Sequence, residues 1–89
     1  HVRILEAVRE DPRIAGVHRL RTRLSGVVTL VQMHVDLDPN LTLAQAHAIV
    51  DAAEIRVRAA LPGADVIIHA DPRPAAAPSV PATPPGPSQ

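Results

Sequence analysis

Cysteine, lysine and all three aromatic residues are missing from this chain of 89 residues. Without cysteine the chain forms no disulfide and offers no thiolate, so any metal must be held by imidazole or carboxylate groups. Without aromatic rings it lacks the stacking surfaces that bind single-stranded nucleic acids. Nine arginines balance nine acidic residues, which gives a formal net charge of +0 and no general excess of positive charge. We therefore expect no nucleic-acid partner.

Long apolar runs are missing as well. No segment approaches the roughly 18 apolar residues of a membrane-spanning helix, and no signal-peptide pattern opens the chain. A core without aromatic residues consists of Val, Ile, Leu and Ala, which bury less area per residue. We expect one small domain of modest stability that gains from a partner or a ligand. Because the chain starts with His1 and not with methionine, we also expect a fragment of a longer protein.

Motifs of catalysis are missing too. The four glycines lie far apart and form no phosphate-binding loop. Ser25 lies in a predicted turn, without the motif that surrounds a nucleophilic serine. Asp36 and Asp38 come at the end of a predicted strand beside Pro39, and we interpret them as turn residues. The sequence therefore predicts that the chain is not an enzyme.

The chain divides into a folded part and a tail. Residues 72–89 contain seven prolines, which fix the φ angle and lack the amide hydrogen that helices and sheets use. We expect a disordered, proline-rich tail there. The folded domain is then predicted to comprise residues 1–71.

Apolar periodicity in the folded part predicts five elements. The second predicted strand, VVTLVQMHVDL, has one apolar face, and Thr42 with Gln45 forms a capping box for the second helix. The order is α-β-β-α-β, which predicts an α+β two-layer sandwich. Its three-stranded sheet would have one open face, and an open, partly apolar face favours dimerisation. The predicted elements are a helix over 2–11, strands over 15–24 and 27–37 around the turn pair Ser25-Gly26, a helix over 43–61, and a strand over 64–70.

Histidines are the residues most suited to chemistry. His18 and His34 lie at similar distances from the predicted turn, so an antiparallel hairpin places them almost opposite each other, within reach of one ion. His69 and Asp71 are two residues apart in the third predicted strand and can share a face. His47 lies in the first turns of the second predicted helix. Neutral imidazole is a common ligand of divalent transition metals.

Simpler interpretations of the same residues stay open. Four scattered histidines are often surface residues, and His47 could merely pair with Asp51 one helical turn away. Arg19, Arg21 and Arg23 alternate along the first predicted strand, which indicates a solvated face or ion pairs with acids. On this interpretation the chain is a stand-alone dimeric ligand-binding or protein-interaction module with incidental histidines.

Four segments together resemble the C-terminal cytosolic domain of the cation diffusion facilitator family, and the resemblance covers residues 4–72. The resemblance implies a metallochaperone-like, ferredoxin-like α-β-β-α-β fold and a homodimer. It also implies a membrane-spanning transport domain of the same protein, which this sequence does not contain. The segments are GVHRLRTRLSG at 16–26, VQMHVDL at 31–37, LTLAQAHAIVDAAE at 41–54 and PGADVIIHADP at 62–72.

The resemblance also implies a binuclear metal site. By analogy with the family, His18, His34 and Asp71 hold one ion, whereas His47 and His69 hold the other, with Asp71 as the bridge. Zn²⁺ is the expected ion, and Mn²⁺, Fe²⁺, Co²⁺ and Cd²⁺ are the alternatives that the family uses. The expected function is that of a cytosolic regulatory domain in a divalent-cation efflux transporter, which binds the metal and stabilises the transporter dimer.

Overall fold

The computed structural model describes residues 2–74. Their α-β-β-α-β order confirms the α+β fold that the sequence predicted. Neither of the two described helices is both long and apolar enough to cross a membrane. The elements are α1 (Val2–Arg9), β1 (Gly16–Ser25), β2 (Val28–Leu37), α2 (Leu43–Ala60) and β3 (Asp65–Pro72).

The helix α2 begins as the sequence predicted. The Thr42 hydroxyl accepts a hydrogen bond from the Gln45 amide (3.1 Å), and the Gln45 side chain accepts one from the Thr42 amide (2.9 Å). This capping box satisfies two amides that the first helical turn leaves without partners. At the other end, the Leu61 amide donates to the Val57 carbonyl, and Gly63 follows with a φ of 84° that glycine adopts without strain.

Strand β2 is the centre of the sheet, which has the order β1-β2-β3. It runs antiparallel to β1 and parallel to β3, with α2 as the crossover between the two parallel strands. Its inward face is apolar apart from Thr29, as predicted, and Val31, Met33, Val35 and Leu37 are all buried there. These side chains pack against α1 and α2 in a single core, and the opposite face of the sheet is not covered by any described element.

The β1–β2 hairpin differs from the prediction at its turn. Ser25 still pairs with Val28, so the two-residue loop is Gly26-Val27 and not Ser25-Gly26. The reason is that Gly26 has a φ of 64°, and a two-residue hairpin loop of type II′ needs a positive φ at its first residue.

A β-bulge interrupts β1 between His18 and Arg21. Arg19 adopts a φ of 56°, the left-handed conformation that the first residue takes in one class of bulge, where glycine is usual. The bulge adds one residue to β1, so that two residues, Arg19 and Leu20, lie opposite the single residue Met33. It therefore reverses the alternation of side chains, and Arg21 lies on the same face as His18.

Most of the predicted tail, residues 75–89, lies outside the described residues. The first three residues of the predicted tail, 72–74, are described. Pro72 pairs with Leu37 as the last residue of β3, and the Arg73 amide donates to the Leu37 carbonyl. The prediction that Pro72 lies outside the sheet was therefore wrong. A proline is tolerated at the end of an edge strand, where its missing amide hydrogen leaves no gap in the ladder.

Polar contacts fix the end of α1 to the rest of the domain. The Arg56 guanidinium of α2 donates to the carbonyls of Ala7 (2.7 Å) and Val8 (3.2 Å) in the last turn of α1. The buried Asp11 carboxylate then accepts bonds from the amide and the guanidinium of Arg13. The hydrogen bonds from Arg13 lower the pKa of Asp11 to about 2.

We predict that Asp11→Asn makes the domain less stable by about 1–2 kcal/mol near pH 6, because hydrogen bonds to a charged group are lost. The pKa of Asp11 is lower in the folded than in the unfolded chain. The wild-type protein therefore has the larger free energy of unfolding above pH 4, and this difference disappears as the pH falls towards 2. Urea unfolding of both proteins between pH 6 and pH 2.5 measures this. Glu10→Gln is the control, since Glu10 is exposed and its ion pair with Arg56 is long, at 4.0 Å. An equal loss of stability in both variants contradicts the stabilising role of Asp11.

Candidate metal centre

The open face of the sheet carries one row of histidines. His18 pairs with His34 across the antiparallel ladder, and His34 pairs with His69 across the parallel ladder. The prediction that His18 and His34 lie opposite each other is therefore confirmed. The imidazole centres of His18 and His34 lie 6.2 Å apart, and those of His34 and His69 lie 4.8 Å apart, with nearly parallel planes.

A second row lies two residues further along β2, at the edge where β1 begins. Here Gly16 pairs with Asp36, and Asp36 pairs with Asp71. The Nε2 atom of His18 lies 3.4 Å from Oδ1 of Asp36 and 3.7 Å from Oδ2 of Asp71. One ligand atom from each of these three residues falls within 4.8 Å of the other two.

His34 contacts the same cluster through a hydrogen bond. Its Nδ1 atom lies 2.8 Å from Oδ2 of Asp71, and its side chain is 22% exposed, compared with 40% for Asp71. The hydrogen bond from His34 lowers the pKa of Asp71 and outweighs desolvation, which raises it; the charge of His34 and the weaker bond from His18 act in the same direction as the His34 bond. Asp71 is therefore ionised at neutral pH and available as an anionic ligand.

The donor set suits a divalent transition metal. Imidazole nitrogen and carboxylate oxygen are the ligands of zinc sites without cysteine, and the same donors serve Mn²⁺, Fe²⁺ and Co²⁺. Among the described residues, neither Asp36 nor Asp71 forms an ion pair with an arginine. The cluster therefore has negative charge that a bound cation would neutralise.

His47 lies apart from this cluster. Its Nε2 atom is 3.2 Å from Oδ2 of Asp51, one turn further along α2, and its side chain is 76% exposed. It lines a cleft of about 300 Å³ at the edge of β3, together with His69 and Ile68. Within residues 2–74, His47, His69 and Asp71 do not bring their ligand atoms within 4.8 Å of one another. The structure thus brings His18 and His34 each close to Asp71, although the group that meets this criterion contains Asp36 and not His34, and it leaves His47 apart.

Asp36 is the residue that sequence analysis missed. The prediction that Asp36 and Asp38 are both turn residues was wrong for Asp36, which is a paired residue of β2 and is only 8% exposed. Only Asp38 has a turn role, since its carboxylate accepts a bond from the Asn40 amide (2.8 Å). The missed signal was alternation, because residues 34 and 36 of one strand share a face.

The arginines of β1 lie beside the histidine row. Arg21 and Arg23 pair with Gln32 and Leu30, further along the same open face. Arg19, at the bulge, lines a small cavity with Arg21 and His34. Within the described part of the chain these arginines are exposed and form no ion pair with an acid, as the simpler prediction of a solvated face expected.

The two helices on one face of a three-stranded sheet define a small domain of the metallochaperone-like fold, and the open face carries a cluster of histidines and carboxylates. Residues 1–73 match a family model described as "Cation efflux protein, cytoplasmic domain". The chain belongs to this family.

Two bacterial relatives carry the name "Cation-efflux pump FieF". The protein of Shewanella oneidensis is 50% identical to the chain over 70 residues, which cover 79% of the chain and 24% of the relative. The protein of Pectobacterium atrosepticum is 47% identical over 72 residues, covering 81% of the chain and 24% of the relative. The chain thus spans about a quarter of the length of these curated relatives.

Solved structures of MamM-CTD are similar to the chain. One superposes with a TM-score of 0.74 at 32% identity and covers 81% of this chain and 92% of that chain. A single-residue variant described as a cadmium form has a TM-score of 0.74 at 31% identity, with 82% and 91% covered. A further variant, described as a nickel form, has the same TM-score and identity, with 82% and 94% covered.

Proposed function

We propose that this chain is the cytosolic regulatory domain of a divalent-cation efflux transporter, and that it binds Zn²⁺ or a similar ion. One observation carries the proposal. His18, His34 and Asp71 are far apart along the chain but lie at the same end of one open sheet face. An imidazole nitrogen of each histidine lies 2.8–3.7 Å from Oδ2 of Asp71. The cadmium and nickel forms of similar domains support it, because both ions take nitrogen and oxygen ligands.

We assign the first ion to His18, His34 and Asp71. When bound, the ion supplies a positive charge that links β1, β2 and β3 and neutralises the Asp71 carboxylate. Asp71 holds His34 by a hydrogen bond and is itself close to His18, so it is the central residue of this position.

The second ion is assigned to His47 and His69, with Asp71 as the shared ligand. Both histidines line the cleft beside β3, which supports this assignment. For His47 to bind, its imidazole has to leave Asp51, and an exposed pair of this kind contributes at most about 0.5 kcal/mol. The second position is therefore expected to bind more weakly than the first.

We further propose that the domain acts as a homodimer. The open sheet face exposes half of Ile67 and part of Leu30. Arg21, Arg23 and Asp65 lie around them, so the face carries charges of both signs, which can pair across a self-complementary two-fold interface. A metal that binds the dimer better than the separated chains shifts the population towards the dimer. The dimer would thereby transmit the metal concentration to the attached transport domain.

Removing Asp71 tests the first position. In calorimetric titration with ZnCl₂, we expect Asp71→Ala to lower the affinity at least tenfold, since metal-site substitutions typically cost about 10–100-fold. Asp65→Ala is the matched control, because it removes the same charge from the same strand and face, six residues earlier. Wild-type protein that binds no zinc refutes the function, and unchanged affinity in Asp71→Ala refutes the role of Asp71.

Removing His47 tests the second position. We expect His47→Ala to bind one zinc ion fewer per chain, with the tighter binding event unchanged, because His47 lies apart from the first cluster. Asp51→Asn serves as the control, since it removes the partner of His47 without removing a proposed ligand. The same number of bound ions in His47→Ala and wild type would contradict the assignment.

Stability and assembly test the coupling. Zinc at about 100 times its dissociation constant stabilises a protein by about 2.7 kcal/mol, which raises the melting temperature of a domain of this size by about 10–20 °C. We expect this rise, its reversal by a chelator, and a larger dimer fraction in analytical ultracentrifugation with zinc. Melting and sedimentation that do not respond to zinc would favour the stand-alone module with incidental histidines.

A further inference from the structure

We infer that Asp36 is an additional metal ligand, which completes the first ion position together with His18 and Asp71. The inference rests on the proposed function, because it assumes that this position holds a divalent ion. The resemblance to the family assigned no role to Asp36, and the observations for it come from the geometry of the sheet.

The distances match those of shared coordination. Two ligands of one tetrahedral ion with bonds of 2.0–2.1 Å lie about 3.3–3.4 Å apart. Oδ1 of Asp36 lies 3.4 Å from Nε2 of His18, closer to it than Oδ2 of Asp71, which lies at 3.7 Å. The Nδ1 atom of His34 lies only 2.8 Å from the Asp71 oxygen, which is the length of a hydrogen bond. The ligand atoms of His18, Asp36 and Asp71 all lie within 4.8 Å of one another, and His34 is not part of this group, so Asp36 is better placed than His34 to share an ion with His18 as the side chains stand.

Burial and charge point to a cation at the same place. Asp36 and Asp71 are directly paired on neighbouring strands, and the Asp36 side chain is only 11% exposed. Two carboxylates on directly paired residues of neighbouring strands repel each other unless a positive charge lies between them. Among residues 2–74, the ion-pair partners of these acids are the histidines His18 and His34, which are charged only if protonated. A divalent cation would remove the repulsion.

Gly16 leaves room for the Asp36 carboxylate. A Cβ atom at position 16 would lie 2.9 Å from Oδ2 of Asp36, closer than carbon and oxygen atoms normally approach. The φ angle of Gly16 is not positive, so the backbone there does not require glycine. Glycine at position 16 therefore leaves the space that the Asp36 carboxylate occupies. This gives a second way to test Asp36, since Gly16→Ala displaces the carboxylate without removing its charge.

The experiment is calorimetric titration of the whole chain with ZnCl₂, after circular dichroism has shown that each variant is folded. We expect Asp36→Asn to weaken the tighter zinc binding at least tenfold and Gly16→Ala to weaken it several-fold. Asp65→Asn, on the same open face and at the far end of β3, is expected to bind like the wild type. If Asp36→Asn does not fold, Gly16→Ala decides.

The visible absorption spectrum of bound Co²⁺ distinguishes a metal ligand from a residue that only supports the fold. With Co²⁺ in place of Zn²⁺, exchanging a carboxylate ligand for an amide shifts the visible absorption bands, whereas a residue that only supports the fold leaves them unchanged. Wild-type affinity and an unchanged cobalt spectrum in Asp36→Asn, alongside lost binding in Asp71→Ala, overturn this inference and leave the proposed function intact. Equal losses in Asp36→Asn and Asp65→Asn overturn it as well. A wild-type chain that binds no zinc overturns both proposals.

Discussion

The register of β2 against its two neighbours is the constraint on which the rest of the structure depends. Alternate residues of β2 are buried against the helices, and Val31, Met33 and Val35 are at most 1% exposed. A slip by one residue would turn these side chains outward and lose their burial. The same register places His34 opposite His18 and His69 on the other face. The apolar core therefore aligns the polar cluster, although the two lie on opposite sides of the sheet.

The bulge at Arg19 makes this alignment possible in the hairpin. Counted from the pair Ser25–Val28, His18 is seven residues away on β1, whereas His34 is only six residues away on β2. A regular antiparallel ladder would place them out of step and on opposite faces. The extra residue at the bulge absorbs the difference, at the cost of a left-handed conformation that a non-glycine residue adopts reluctantly. Strain in the backbone is thus located beside the cluster that it aligns.

Sequence patterns predicted those features that have a local cause. The capping box at Thr42 and the apolar face of β2 each follow from spacing within a few residues. The opposition of His18 and His34 was predicted from their similar distances to the turn, but in the structure it depends on the bulge at Arg19, which no local pattern indicated. The parallel pairing of β3 with β2 has no local signal, since the two strands are joined through the whole of α2. The contact of Asp71 with His18 and His34 could therefore not be derived from spacing alone.

The role of Asp36 was missed for a different reason. Its position beside Asp38 and Pro39 has the composition of a turn, and local composition outweighed the strand alternation that places it next to His34. The loop of the β1–β2 hairpin lies one residue later than predicted, because the positive φ of Gly26 determines its position more strongly than the composition of the neighbouring residues. At the hairpin, the backbone conformation of a single residue decided the outcome, whereas at Asp36 the pairing of a whole strand did.

The parallel crossover also governs when the polar cluster comes into existence as the chain folds. The β1–β2 hairpin is local, whereas the pairing of β3 with β2 spans the whole of α2, and we expect such a distant pairing to form late in folding. Asp71 is then expected to join His18 and His34 at a late step. An ion that needs all three strands therefore stabilises the native state more than the folding transition state. Its effect falls mainly on the rate of unfolding, so that binding lengthens the lifetime of the folded chain without speeding its formation.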